Sequence, residues 1–121
     1  VIGAGAGSYY GYSLDKVARM SDSVSFDSRT LQHEFKHAPD YGVTGSWNKA
    51  NKTSFEQAIR TQMDSVTTPI RGTYRNTHQV YHFFNPETKV DTMVDLTGNF
   101  VAGWKLSPQQ INYLLTKGNV Q

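Results

Sequence analysis

The stretch His33-Glu34-Phe35-Lys36-His37 gathers two imidazoles, a carboxylate and an ammonium close together. Two chemistries follow from it. Taken as H-E-x-x-H, it would set both histidines on one helical face around zinc with the glutamate as general base, and Glu56 falls where a third ligand could come from. That arrangement needs a helix continuing through both histidines. Pro39 disfavours helical geometry at Ala38, so the helix is expected to end near His37, and Glu56 is already engaged in a local capping motif with Thr53. No metal site is therefore expected. The alternative is proton transfer: a histidine's ordinary pKa, about 6.5, lets it take and return a proton near neutral pH, and the ammonium of Lys36 beside it neutralises a phosphate. An exposed histidine stabilised by a helix C-terminus fits the same residues, and spacing alone leaves both open.

The elements that must position these groups are legible in the pattern. Asp27 is an N-cap, with Phe26 and Leu31 placed as a hydrophobic staple across it. In the helix that follows, Leu31 and Phe35 share a face, and His33 and His37 lie about 200° round from it, away from the core. Thr53-Ser54-Phe55-Glu56 reads as a capping box opening a second helix, with Phe55, Ala58, Ile59, Gln62, Met63 and Val66 at helical spacing. Residues 70–75, 79–84, 90–96 and 100–106 are short runs rich in β-branched and aromatic residues, separated in the later cases by turns at Asn85-Pro86 and Gly98-Asn99. Ser107-Pro108-Gln109-Gln110 starts a last helix through Ile111, Leu114 and Leu115, stopped by Gly118. The sum is an α+β fold, N-terminal helices packed on an antiparallel β-meander. On its strands Arg71, Thr73 and Arg75 share one face, and Phe100, Ala102, Trp104 and Leu106 share another. His82 points with Val80 and Phe84 and is expected to be packed, while His78 has no assignment.

With 121 residues the chain suits one compact domain, expected over residues 24–121, and residues 1–23 have the Gly, Ser and Ala content of a linker with a short helix at 13–20. Aromatic residues make up 12%, too many for a disordered chain, and the formal net charge of +2 permits an RNA partner without demanding one. The absence of cysteine excludes a disulfide framework, a thiolate metal site and a cysteine nucleophile. It suits work in a reducing cytoplasm, or passage across a membrane unfolded. No run approaches the roughly 20 apolar residues of a membrane span, and the Gly-rich start lacks the features of a signal peptide.

Four ordered segments carry a family resemblance over residues 31–105: Phe35-Lys36-His37-Ala38 with Asp40, Tyr41 and Gly42-Val43; Gly72-Thr73-Tyr74-Arg75; Val80-Tyr81 with Phe84-Asn85-Pro86; and Gly98, Phe100 and Gly103-Trp104-Lys105. Together they resemble the colicin D ribonuclease domain, which also occurs at the C-termini of contact-dependent growth inhibition effectors. The resemblance implies a barnase/EndoU/colicin/RelE-like fold and a metal-independent endoribonuclease without cofactors. It further implies cleavage in the anticodon loop of a tRNA and a cognate immunity protein, expected to be acidic. The effector would be secreted or held at the producer's surface, residues 1–23 would be the tail of its translocation region, and the toxin domain would act in the target-cell cytoplasm with no stable membrane anchor.

His37 matches the family's catalytic histidine, Lys36 the lysine before it, and Trp104 its active-site tryptophan. Arg75 and Lys105 are then candidate partners for phosphoryl oxygens, with Thr73 and Tyr74 beside them as RNA-binding residues. Two positions depart. Where the family has a lysine three residues before the histidine this chain has Glu34, and where it has a serine two before the tryptophan this chain has Ala102. A catalytically weak RNA-binding or immunity-binding module is the main alternative, and the zinc peptidase a more distant one.

Overall fold

A computed structural model describes residues 20–121. The expected helix at 13–20 and most of the 1–23 linker therefore lie outside the described residues. Met20–Ser23 form a single helical turn, α1, against helix α3 (Lys49–Asp64), where Arg60 donates to the Ser21 carbonyl. Asp27 caps α2 (Ser28–Glu34), its carboxylate accepting from Thr30 N at 3.1 Å.

The chain does not stop at His37. From Phe35 it tightens into a 3-10 helix that runs through Pro39 to Tyr41 and closes on Gly42, whose φ of 83° is left-handed. Proline's fixed φ suits 3-10 geometry, so Pro39 ends the α-helical winding without ending the helix. Three residues per turn then sort the side chains into rows. Phe35, Ala38 and Tyr41 form one row, Ala38 buried and both rings edge-on to Phe55 at 5.6 Å. Residues 34, 37 and 40 form another.

Helix α3 begins well before its apparent capping box at Thr53: Asn48 is the cap, accepting from Asn51 N at 2.8 Å, and Thr53 Oγ1 instead donates back to the Lys49 carbonyl at 3.2 Å. The first turn carries no apolar residue larger than Ala50, so hydrophobic periodicity could not locate it.

Strands β1 (Ile70–Tyr74), β2 (His78–Phe84), β3 (Val90–Asp95) and β4 (Phe100–Lys105) make the antiparallel meander. Ser107 and Gln110 form a reciprocal capping box at the start of α4 (Pro108–Lys117), which Gly118 ends with a φ of 70°. Asn119–Val120, too short to leave a pattern, add β5 in parallel to β1, so the sheet is mixed, ordered β4-β3-β2-β1-β5. One face of the sheet, through Phe83, Val94 and Phe100, packs on Leu31, Ala38, Phe55, Ile59 and Met63. The other, through Val80, Phe84, Met93, Ala102 and Leu106, packs on Leu114 of α4 and Val120. A register shift at Met93/Val94 turns Phe100 to the opposite face from Ala102, so residues 100–106 do not share the single face that plain alternation gives.

The sheet is strongly curled. β1 and β4 are three strand spacings apart, about 14 Å in a flat sheet. Yet Tyr74 of β1 and Trp104 of β4 meet edge to face with centroids 6.1 Å apart.

Candidate active site

The edge of β4 fixes the histidine. An edge strand presents unpaired N–H groups, and here they are taken by the segment that carries His37. Ser25 bridges the start of the strand, accepting from Phe100 N at 2.9 Å. Glu34 Oε1 accepts from Gly103 N at 3.3 Å, and Asp40 Oδ2 accepts from Lys105 N at 3.0 Å. These two carboxylates are the ends of the 34-37-40 row, so the residue between them is carried to Trp104. The His37 and Trp104 rings lie 5.5 Å apart at 32°. His37 is thus half-buried against an indole, not turned away from the fold as helical spacing alone gave.

Tyr41 anchors the same segment from behind. Its hydroxyl donates to Thr92 Oγ1 at 2.7 Å, Thr92 donates to Gln62 Oε1 at 2.6 Å, and Gln62 Nε2 donates to the carbonyls of Phe83 and Val90 at 2.7 and 2.9 Å. Burial pushes the phenol far above its ordinary range, so Tyr41 is a structural donor rather than an acid or base near neutrality. Trp104 is held by its own donor, Nε1 to Gln110 Oε1 at 3.2 Å, which ties its angle to the capping box of α4.

The remaining candidates divide. Tyr74 meets Trp104, and Arg75 lies over the Tyr74 ring with its guanidinium carbon 5.0 Å from the centroid. Arg75 leaves the strand for a left-handed turn (φ 54°), so it does not share a strand face with Arg71 and Thr73. The Thr73 hydroxyl is committed inward, donating to Asn119 Oδ1 at 2.8 Å. Lys36 and Lys105 are exposed near His37, and Lys36 Nζ donates to His33 Nε2 at 3.5 Å. A cleft of about 330 Å³ opens next to this group, lined by Arg29, Thr30, His33, Glu34, Tyr74, Arg75 and Val101.

A second histidine pairing was only partly legible. His82 is packed as expected, but both ring nitrogens are bound: Nδ1 to Asp91 Oδ2 at 2.8 Å and Nε2, as donor, to the Thr73 carbonyl at 2.9 Å. Burial raises the Asp91 carboxyl above its ordinary range, while the hydrogen bond and charge of His82 act the other way. Asp91 alternates with Met93 as His82 does with Val80 and Phe84, and that alternation on two paired strands was the available signal. Among the described residues no group of three or more His, Asp or Glu side chains is placed to hold a metal ion. In H-E-x-x-H the α-helix ends at Glu34, whose carboxylate is buried against β4.

Comparison with known proteins adds to this geometry. A family model described as Colicin D matches residues 30–114. The chain belongs to the colicin D family. It is 33% identical over 92 residues to colicin-D of Escherichia coli, a match covering 75% of this chain and 13% of that much longer protein. A solved ribonuclease from Escherichia coli, complexed with its inhibitor protein, superposes with a TM-score of 0.59 at 32% identity, covering 74% of this chain and 99% of that one. The α+β fold is shared with this ribonuclease. Against the family pattern, both departures are interior: Glu34 has become the carboxylate that holds the β4 edge, and Ala102 is 1% exposed beneath α4.

Proposed function

We propose that this chain is the endoribonuclease domain of an antibacterial toxin, cutting a tRNA, in the anticodon loop, with His37 as the proton-transfer group. The observation that carries this is the His37 ring set against Trp104, with Tyr74 between that pair and a cleft lined by arginines, in a member of the colicin D family. His37 takes the proton of a ribose 2′-hydroxyl as that oxygen attacks the adjacent phosphorus. The bond from phosphorus to the 5′-oxygen breaks, and the leaving oxygen gains a proton. The products are a 2′,3′-cyclic phosphate and a 5′-hydroxyl. Lys36 and Lys105 meet the charge on the phosphoryl oxygens, Arg75 holds the RNA backbone alongside, and Trp104 and Tyr74 offer rings to unstacked bases. Thr73 acts through the fold, holding Asn119 and the turn that carries Arg75.

The toxin is secreted and acts in the cytoplasm of the target cell. No described helix is long and apolar enough to cross a membrane. The partner is an acidic immunity protein that covers the His37 cleft, as the inhibitor-bound relative supports. The test is to incubate the chain with total tRNA in EDTA and sequence the cleaved ends. Cyclic phosphate and 5′-hydroxyl ends are expected; a 5′-phosphate, or activity only with added zinc, would point to a metal-bound nucleophile instead.

A further inference from the structure

The cleft beside Tyr74 holds two guanidinium groups, from elements that meet only because the sheet curls. Arg29 comes from the first turn of α2 and Arg75 from the β1–β2 turn. Tyr74 is a wall of this cleft and also touches Trp104, so one aromatic side chain separates the cleft from the His37 pair.

Arg75 is held in place at a conformational cost. Arg75 and Asn76 have φ of 54° and 69°, and side-chain-bearing residues persist there only where the surroundings over-determine them. Buried Asn119 accepts from Asn76 N at 2.9 Å and from Thr73 Oγ1 at 2.8 Å, and donates to Asn76 Oδ1 at 3.1 Å. Arg75 N bonds the Val120 carbonyl at 2.8 Å. Glycine fits such a turn without strain, yet here it presents a guanidinium braced on a tyrosine ring. Glu34 also lines the cleft, but its side chain is only 8% exposed and its Oε1 is held by Gly103 N, so it does not reach out to solvent there. What faces solvent is positive, from Arg29 and Arg75, with His33 beside them.

Resting on the ribonuclease function proposed above, we infer that this cleft is a second phosphate subsite, holding a phosphodiester that neighbours the one cut at His37. Arg29 and Arg75 give it forked N–H donors, so the RNA strand runs from His37 across Tyr74 into the cleft.

The test is binding of a 2′-O-methyl oligonucleotide, which cannot be cleaved, to the wild type, Arg29→Glu and Arg75→Glu across a salt series. Arg29 is exposed, so its replacement leaves the fold intact. Each variant is expected to weaken binding about tenfold or more and to flatten the slope of log Kd against log salt by about 0.7 for each phosphate no longer neutralised. A change in folding alone would not move that slope. Unchanged affinity and slope in both variants, with normal wild-type binding, overturn the subsite and leave the ribonuclease function standing. A wild type that neither binds nor cleaves RNA overturns both. Weaker binding of the inhibitor protein with RNA binding unchanged assigns the cleft to that partner and likewise overturns the subsite.

Discussion

The Tyr41 hydroxyl occupies the space where Gly103 has no side chain: a Cβ at position 103 would overlap the phenol oxygen and crowd the Asp91 carbonyl at 3.1 Å. The glycine is needed for close approach rather than for an unusual φ, and that approach seats the 3-10 helix on β4. Gly103→Ala should destabilise the domain by about 1–3 kcal/mol in urea unfolding, as overpacking does, and should lower kcat by displacing His37. Tyr41→Phe should cost about 1 kcal/mol, because Thr92 keeps its bond to Gln62. An alanine variant of full stability and activity would show that the two elements are not seated on this contact.

His37→Ala should reduce RNA cleavage by about 10²–10⁴-fold, the usual range for a general acid or base. His37 packs at the surface against Trp104, so the circular dichroism spectrum and unfolding midpoint should stay close to wild type. Retained cleavage in a folded variant would assign proton transfer to another group.

Breaking the His82–Asp91 pair should be costlier than any surface change. Both side chains are fully buried, and among the described residues Asp91 Oδ1 has no partner and His82 is the side chain that Asp91 pairs with. His82→Leu should destabilise by about 3–5 kcal/mol, since it leaves a buried carboxyl unpaired. Replacing both residues with apolar ones of similar volume should recover much of that loss. A single variant as stable as wild type would mean the pair contributes nothing to folding.

Acid stability should carry a signature of Asp95. Its slight burial raises the carboxyl, but hydrogen bonds from the backbone and side chains of Asn99 and Thr97 outweigh this and hold it below the ordinary range. A group depressed in the folded state contributes stability above its unfolded pKa, about 3.9, and loses it as pH falls through the folded value. Asp95→Asn should therefore lower stability at neutral pH and flatten the acid limb of the stability curve below about pH 4. An acid limb identical to wild type would show that these bonds persist in the unfolded chain.

Inhibitor capture should be electrostatic. Lys105→Glu should slow association of the immunity protein and make the rate less sensitive to salt, with a smaller effect on dissociation, because an exposed charge steers encounter. An association rate unchanged in this variant and insensitive to salt would place the docking surface elsewhere.

Much of the fold and part of the candidate site could be read from residue order. His37, Lys36 and Trp104 stood in matching segments, and the meander, the Asp27 cap and the Ser107 box carried their own local signals. What escaped depended on geometry that pattern does not encode. The change from α to 3-10 winding at Phe35 put Glu34, His37 and Asp40 in one row, and only the β4 edge gives that row its meaning. The register shift at Met93/Val94 defeated simple alternation on β4. Arg29 was invisible as a site residue because only the sheet's curl brings it beside Tyr74 and Arg75.

The edge contacts that seat His37 span most of the chain: Glu34 and Gly103 are 69 residues apart, Asp40 and Lys105 65. A polypeptide emerging from the ribosome N-terminus first has its histidine long before it has the wall the histidine rests on. The pairing of His37 with Trp104 is completed by the last strand of the meander, so under the proposed function a nascent chain stalled short of Trp104 should not cut RNA. On the same proposal an inhibitor is needed only once β4 has emerged, and a chain that enters a target unfolded should regain activity only once both ends of this long loop have come together.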